Sequence, residues 1–114
     1  MLWKDGAQYV DGLETGAQYI AGEELFDYAS PMKNSPGPLF TVKIPETDAV
    51  SEIKRAIVLE TVQDPGNVGT VIRTANAFGM DAVILTGDCA DIYNPKTVRA
   101  TMGAIFRQRV ITCT

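Results

Sequence analysis

Residues 56–87, AIVLETVQDPGNVGTVIRTANAFGMDAVILTG, decide the fold class. Ala56 to Val62 is an apolar run rich in β-branched residues, as expected of a strand buried on both faces. Asp64 to Asn67 (DPGN) forms a turn, and Asn67 is suited to cap the helix that follows. Val68, Val71, Ile72 and Ala75 recur at i, i+3, i+4 and i+7, which predicts an amphipathic helix ending at Gly79. Asp81 to Gly87 is a second strand. Farther on, Asn94 and Pro95 supply a cap and a first-turn proline for a second helix reaching about Phe106. Arg109 to Cys113 opens a third strand. Strands alternating with helices specify an α/β fold, a parallel sheet with flanking helices and right-handed crossovers.

Toward the N-terminus the pattern is less regular. Pro45 to Glu52 is a polar connector and divides the chain into residues 1–50 and 51–114. GAQYV (Gly6 to Val10) recurs as GAQYI (Gly16 to Ile20), which reads as a hairpin or strand pair. Two copies are too few for a solenoid. Gly22 to Ser30 predicts a short amphipathic helix, ended by the Pro/Gly/Ser cluster from Pro31 to Pro38. Leu39 to Ile44 alternates and is β-rich, the pattern of a strand. Trp3, Tyr9, Tyr19, Tyr28 and Tyr93 are expected in core or hairpin packing rather than stacked on bases.

The chain has no histidine, which removes Ser–His–Asp triads, Cys–His dyads and His-ligated zinc. Cys89 and Cys113 cannot make a cysteine-only metal site, so no metal is expected. They read as free thiols of a reducing compartment, and the cytoplasm is the expected location. No apolar run approaches the roughly 20 residues that cross a bilayer. Net charge is −4, but unevenly spread. Lys4, Lys33 and Lys43 face eight acids in the first 50 residues, whereas the remainder holds seven bases against six acids. Four of those seven lie between Lys96 and Arg109, leaving a local basic patch open to a polyanion.

Ligands of open α/β sheets gather at the carboxyl ends of the strands, which points to the turn after Val62. At about 100° per residue Arg73 projects away from the apolar stripe, with Gly69 one turn before it on nearly the same face. Gly66 and Gly69 permit close backbone approach, and a guanidinium above a helix start suits a phosphate. On spacing alone the favoured reading is the plain one, with Gly66 permitting the turn, Asn67 as a cap and Arg73 as a solvated helix arginine. In the second helix Lys96, Arg99 and Gly103 share a face, while Val98, Met102 and Ile105 point the other way. Arg107 and Arg109 follow, forming either a basic edge or a solvated surface. GNVG matches neither the dinucleotide fingerprint nor a P-loop, which counts against a generic nucleotide-binding domain.

Two segments together carry a resemblance. Asn67, Gly69, Arg73, Ala75, Phe78 and Gly79 form N-x-G-x-x-x-R-x-A-x-x-F-G, which resembles the first motif of the SpoU/TrmH family of SPOUT methyltransferases. NPKTVRATMGAIFRQRV (Asn94 to Val110) is similar to that family's next stretch, with Thr101 where serine is usual and Arg109 where proline is usual. The coverage runs from about Ala56 to Thr112. SPMKNSPGPLFTVKIP, ending at Pro45, resembles the segment closing the family's small RNA-binding domain.

The resemblance implies an incomplete α/β-knot domain preceded by part of a small α+β RNA-binding domain. It implies S-adenosyl-L-methionine as methyl donor, structured ribosomal or transfer RNA as acceptor, and a homo-oligomer without membrane or metal. Asn67 and Arg73 would stand beside the target ribose and its phosphate, with Asn67 holding Arg73 or the ribose. Lys96, Arg99, Arg107 and Arg109 would bind RNA. The family's later Gly-x-Glu and Ser-Leu-Asn segments, which make most of the cofactor pocket, have no counterpart here, so the cofactor's contacts stay unassigned. The expected function is an RNA 2′-O-ribose methyltransferase or a portion of one. The alternative is a non-catalytic RNA-binding or dimerisation module.

Overall fold

The computed structural model describes residues 1–6, 16–45 and 52–113, which form two compact units, Met1–Pro45 and Glu46–Thr114.

In the first unit, β1 (Leu2–Lys4) and β2 (Tyr19–Ala21) pair in parallel, with Trp3 opposite Ile20. The hairpin or strand pair read from the two GAQY copies cannot be placed on this pairing, because β1 precedes the first copy. Residues 7–15, including Tyr9 and most of the first GAQY repeat, lie outside the described residues. Helix α1 (Glu23–Ala29) follows as its composition predicts. Its Phe26 is fully buried and, with Trp3 and Ala21, forms the small core. Trp3 Nε1 donates to Gln18 Oε1 at 2.9 Å, so the buried indole keeps its hydrogen bond. Lys4 bridges Glu23 at 2.8 Å, which raises the lysine pKa and lowers that of Glu23. Leu39 to Ile44 is not a strand. Only Leu39 pairs, antiparallel with Leu2, and Phe40, Val42 and Ile44 are exposed. Tyr19 and Tyr28 are exposed as well, as is Tyr93 in the second unit, so the expectation of tyrosine packing fails for all three.

The second unit has the expected alternation. It runs β3 (Ala56–Glu60), α2 (Pro65–Ala77), β4 (Ala82–Thr86), α3 (Pro95–Ala100), a 3-10 turn (Ala104–Phe106) and β5 (Val110–Thr112). The strands are parallel in the order β3-β4-β5, with Val58, Ile84 and Ile111 in one register row. Val68, Ile72 and Ala75 of α2 pack on Val83, Leu85 and Ala104, with Ile57, Leu59 and Val110 around them. The i, i+3, i+4 stripe read from the sequence is this contact.

Three expectations change. First, β3 is not buried on both faces: Ile57 and Leu59 turn toward α2, and the alternate residues Ala56, Val58 and Glu60 are exposed. Second, the cap of α2 is Asp64, not Asn67. Its carboxylate accepts from Asn67 N at 2.8 Å, and Pro65 occupies the first turn, where no amide is needed. Third, the second helix does not continue to Phe106. It stops at Ala100, and Met102 (φ 50°) and Gly103 (φ 84°) turn the chain left-handed before the 3-10 turn. Thr101 Oγ1 donates back to Val98 O at 2.6 Å inside the core, and the turn delivers Ala104 to the cluster.

Candidate RNA-facing site

The carboxyl ends of β3 and β4 exit side by side. Thr61, with φ 55°, donates its N–H to Thr86 O, and Gly87 (φ 63°) lies so close that a Cβ there would stand 2.8 Å from Thr61 Oγ1. Beyond them the loop is closed by Cys89. Its sulfur accepts from Val62 N at 3.3 Å and lies 3.2 Å from Thr86 O. Asp88 accepts from Gln63 Nε2.

From this edge α2 and α3 both start, and their contact builds the site. Gly69 is buried, and the Cβ it lacks would lie 2.6 Å from Ala100 Cβ and 2.6 Å from Thr97 O. The expectation that Gly69 bares the surface beside Arg73 for a ligand is overturned, because α3 occupies that space. Gly66 is different. Beyond its chain neighbours and its own helix backbone, its missing Cβ would meet the capping Asp64 Oδ1 at 3.0 Å and no other described residue within 4 Å. Thr97, fully buried, anchors α3 by donating from Oγ1 to Asp91 O at 2.8 Å.

The seam opens into a depression of about 500 Å³ lined by Asp64, Pro65, Gly66, Lys96, Arg99, Ala100 and Met102. Lys96 and Arg99, which spacing placed on one face, are brought together there over the first turn of α2. Asn67 and Arg73 are not among its lining residues. They stand six residues apart on α2, about 9 Å along the axis and about 120° around it. No hydrogen bond joins them, so Asn67 does not hold Arg73 within this chain. Arg107 ends the 3-10 turn and is exposed. Arg109 precedes β5, at the amino ends of the strands, where its carbonyl accepts from Val83 N. The four cations expected to bind RNA thus divide between two places. Gly103 is not on the Lys96 face, because the helix ends before it, and Met102 is 71% exposed instead of pointing inward.

The charges sort by duty. Asp64 caps α2, and Asp91 accepts from Tyr93 N. Asp81 accepts from Lys54 N and Arg55 N, which holds its carboxyl below the usual range. Arg55 in turn donates to Gly79 O. By contrast Arg73, Lys96, Arg99 and Arg107 have no acidic partner among the described residues. Sequence reasoning missed Asp64 and Met102. The Asp-Pro pair was a usable signal for the first, since a cap followed by a first-turn proline is a common helix start. Among the described residues no group of three or more metal-binding side chains occurs, and no helix is long and apolar enough to cross a membrane.

Comparison with known proteins gives the same direction. The model of the SpoU rRNA Methylase family matches residues 54–114. The 23S rRNA (guanosine(2553)-2'-O)-methyltransferase of Bacillus subtilis (strain 168) is 36% identical over 112 residues, 97% of this chain and 45% of that protein. The AdoMet-bound rRNA methyltransferase from Sinorhizobium meliloti superposes with a TM-score of 0.66 at 31% identity, covering 85% of this chain and 39% of that one. The SpoU methyltransferase AviRb from Streptomyces viridochromogenes shares the fold, with a TM-score of 0.74 at 22% identity over 98% of this chain and 44% of that one. The chain therefore spans under half the length of these relatives. With its α/β sheet, its motif spacing and this match, the chain belongs to the SpoU rRNA Methylase family.

Proposed function

We propose that this chain supplies the RNA-facing part of an S-adenosyl-L-methionine-dependent RNA 2′-O-ribose methyltransferase acting on structured ribosomal or transfer RNA. The observation that carries the reading is Arg73: exposed and unpaired among the described residues, it stands at the family motif's arginine position on the helix whose start Lys96 and Arg99 overlook. The relatives' names, which specify 2′-O-methylation of 23S rRNA and AdoMet binding, support the same class.

S-adenosyl-L-methionine, when bound, supplies an electrophilic methyl group. At the carboxyl end of β4, Asp88 accepts from Gln63 Nε2 and the Cys89 sulfur meets Val62 N and Thr86 O. We assign no residue to the cofactor and derive no step through it. The chain's own contribution lies toward the ribose. A guanidinium stays protonated at any working pH, so Arg73 is a poor general base. Its two-pronged donor set suits a phosphate next to the target ribose, and its charge stabilises negative charge growing on the 2′-oxygen. The proton that the 2′-hydroxyl loses as the methyl group arrives passes to solvent, since neither a guanidinium nor a phosphodiester is an effective base. Asn67, exposed on a different side of α2, orients the ribose through its own amide. Lys96 and Arg99 hold flanking phosphates at the seam, whereas Arg107 and Arg109, at the other end of the sheet, would meet a more distant part of the RNA.

We infer a homo-oligomer, as the family resemblance implies. A strictly monomeric sedimentation profile at high concentration would count against it. We also place the protein in the cytoplasm, in keeping with its two free thiols.

The test is methyl transfer from labelled S-adenosyl-L-methionine to ribosomal RNA, using the chain fused to the remaining portion of the Bacillus subtilis relative. Label on a ribose 2′-oxygen, lost with Arg73→Ala, is the expected result. A folded fusion that methylates bases, or nothing, sinks the proposal. Salt-dependent RNA binding without any transfer would instead select a non-catalytic RNA-binding module.

A further inference from the structure

Met102 is the residue of the depression that neither folding nor phosphate binding explains. Its backbone has φ 50°, a region that residues bearing a Cβ rarely adopt. Its neighbours are used by the core, Thr101 fully buried and Ala104 2% exposed, yet Met102 itself is 71% exposed. Burial therefore does not offset the strained backbone. The turn itself would be served by glycine, as the following Gly103 (φ 84°) shows. What the methionine adds is an unbranched, polarisable thioether held out beside Lys96 and Arg99. An observed backbone outlier at a binding depression is a reason to look for function there.

Resting on the reading of this site as RNA-facing, we propose that Met102 is a specificity-determining contact for a nucleobase of the bound RNA. Lys96 and Arg99 carry the charge that takes the phosphate. Asp64 limits where that phosphate sits, because its carboxylate, fixed by Asn67 N, borders the same depression. The phosphate settles toward α3, and the attached base is left facing Met102. A thioether packs well against the face of an aromatic ring and accepts any base able to offer one. The methionine reads the presence of a base and its stacking area, not its hydrogen-bonding edge.

The experiment uses this chain with two fluorescent probes of equal length: an oligoadenylate, and an abasic phosphodiester oligomer that keeps the charge and lacks the bases. Binding is followed by anisotropy at several salt concentrations. Wild type is expected to bind the oligoadenylate more tightly than the abasic oligomer. Met102→Gly, which suits the left-handed backbone and so keeps the fold, is expected to lose roughly three- to tenfold in oligoadenylate affinity, with abasic binding unchanged. Met102→Leu is expected to recover part of the loss. Lys96→Ala and Arg99→Ala should weaken both probes alike and flatten the salt dependence. Equal effects of Met102→Gly on both probes, or on neither, overturn the role of Met102 while leaving the RNA-facing reading in place. If wild type binds neither probe, or if Lys96→Ala and Arg99→Ala change nothing, the underlying reading fails and this proposal with it.

Discussion

The Cβ that Gly69 lacks would stand 2.6 Å from the Cβ of Ala100, so α2 and α3 meet here with no room for a side chain. The same atom would lie 2.6 Å from the Thr97 carbonyl oxygen, which is backbone and cannot rotate away. Gly69→Ala must therefore push the two helices apart. The expected cost is about 1–3 kcal/mol, typical of overpacking a closed contact. A denaturant midpoint unchanged from wild type would show that α3 does not sit where the geometry puts it. Because the seam also carries Lys96 and Arg99, the variant should lose RNA affinity even at temperatures where it stays folded.

The two polar residues at the start of α2 have separable roles. Asp64 satisfies an otherwise orphaned helix amide through the 2.8 Å bond to Asn67 N, whereas the Asn67 side chain makes no hydrogen bond among the described residues. Asp64→Ala is expected to cost about 1 kcal/mol of stability, the usual worth of a cap. Asn67→Ala should leave stability within about 0.5 kcal/mol, as for surface positions in general, and reduce methyl transfer instead. Circular-dichroism melts of both variants decide this; equal destabilisation by the two would restore Asn67 as a structural residue.

Why one of these roles was readable and the other was not follows from what each depends on. The stripe Val68, Val71, Ile72 and Ala75 is local periodicity, and it predicted α2 and its buried face correctly. DPGN holds two residues able to cap, and spacing alone favoured Asn67, although Pro65 marks the position after a cap and so favours Asp64. Gly69 looked like a bare surface because its true neighbour, Ala100, is 31 residues away, and only the α2–α3 packing reveals it. The break after Ala100 was hidden by Val98, Met102 and Ile105, whose spacing still mimics a helix. Burial of the Thr101 hydroxyl and the need to bring Ala104 into the core overrode that pattern. Likewise, β3 has the apolar composition of a two-sided strand, but α2 covers only the Ile57 and Leu59 face.

Asp81 gives the second unit a defined acid sensitivity. Its carboxylate accepts from Arg55 N at 2.7 Å and Lys54 N at 2.9 Å, and these two bonds lower its pKa in the folded state. The unfolded chain therefore takes up the proton first as pH falls. The contribution is fully present above the usual aspartate value of about 3.9 and is lost progressively as pH drops through the lower folded value. Asp81→Asn removes that titration, so its stability should fall less steeply than wild type below about pH 4. Parallel acid limbs for the two proteins, measured by urea unfolding across that range, would rule out this assignment.

Arg73 separates chemistry from stability most cleanly. It is exposed and has no hydrogen-bond or ion-pair partner among the described residues, so Arg73→Ala is expected to shift stability by no more than about 0.5 kcal/mol. If its guanidinium stabilises charge on the ribose oxygen, methyl transfer by the fused protein should fall by roughly 100-fold or more, the scale seen when one such donor is removed. Arg73→Lys keeps the charge but loses the planar fork, and should recover only a minor part of the rate. The decisive measurement is the single-turnover rate with the fused enzyme in saturating excess over RNA, where weakened binding no longer contributes. A lysine variant as fast as wild type there would mean that charge alone suffices and that bidentate positioning of a phosphate has no part in the step.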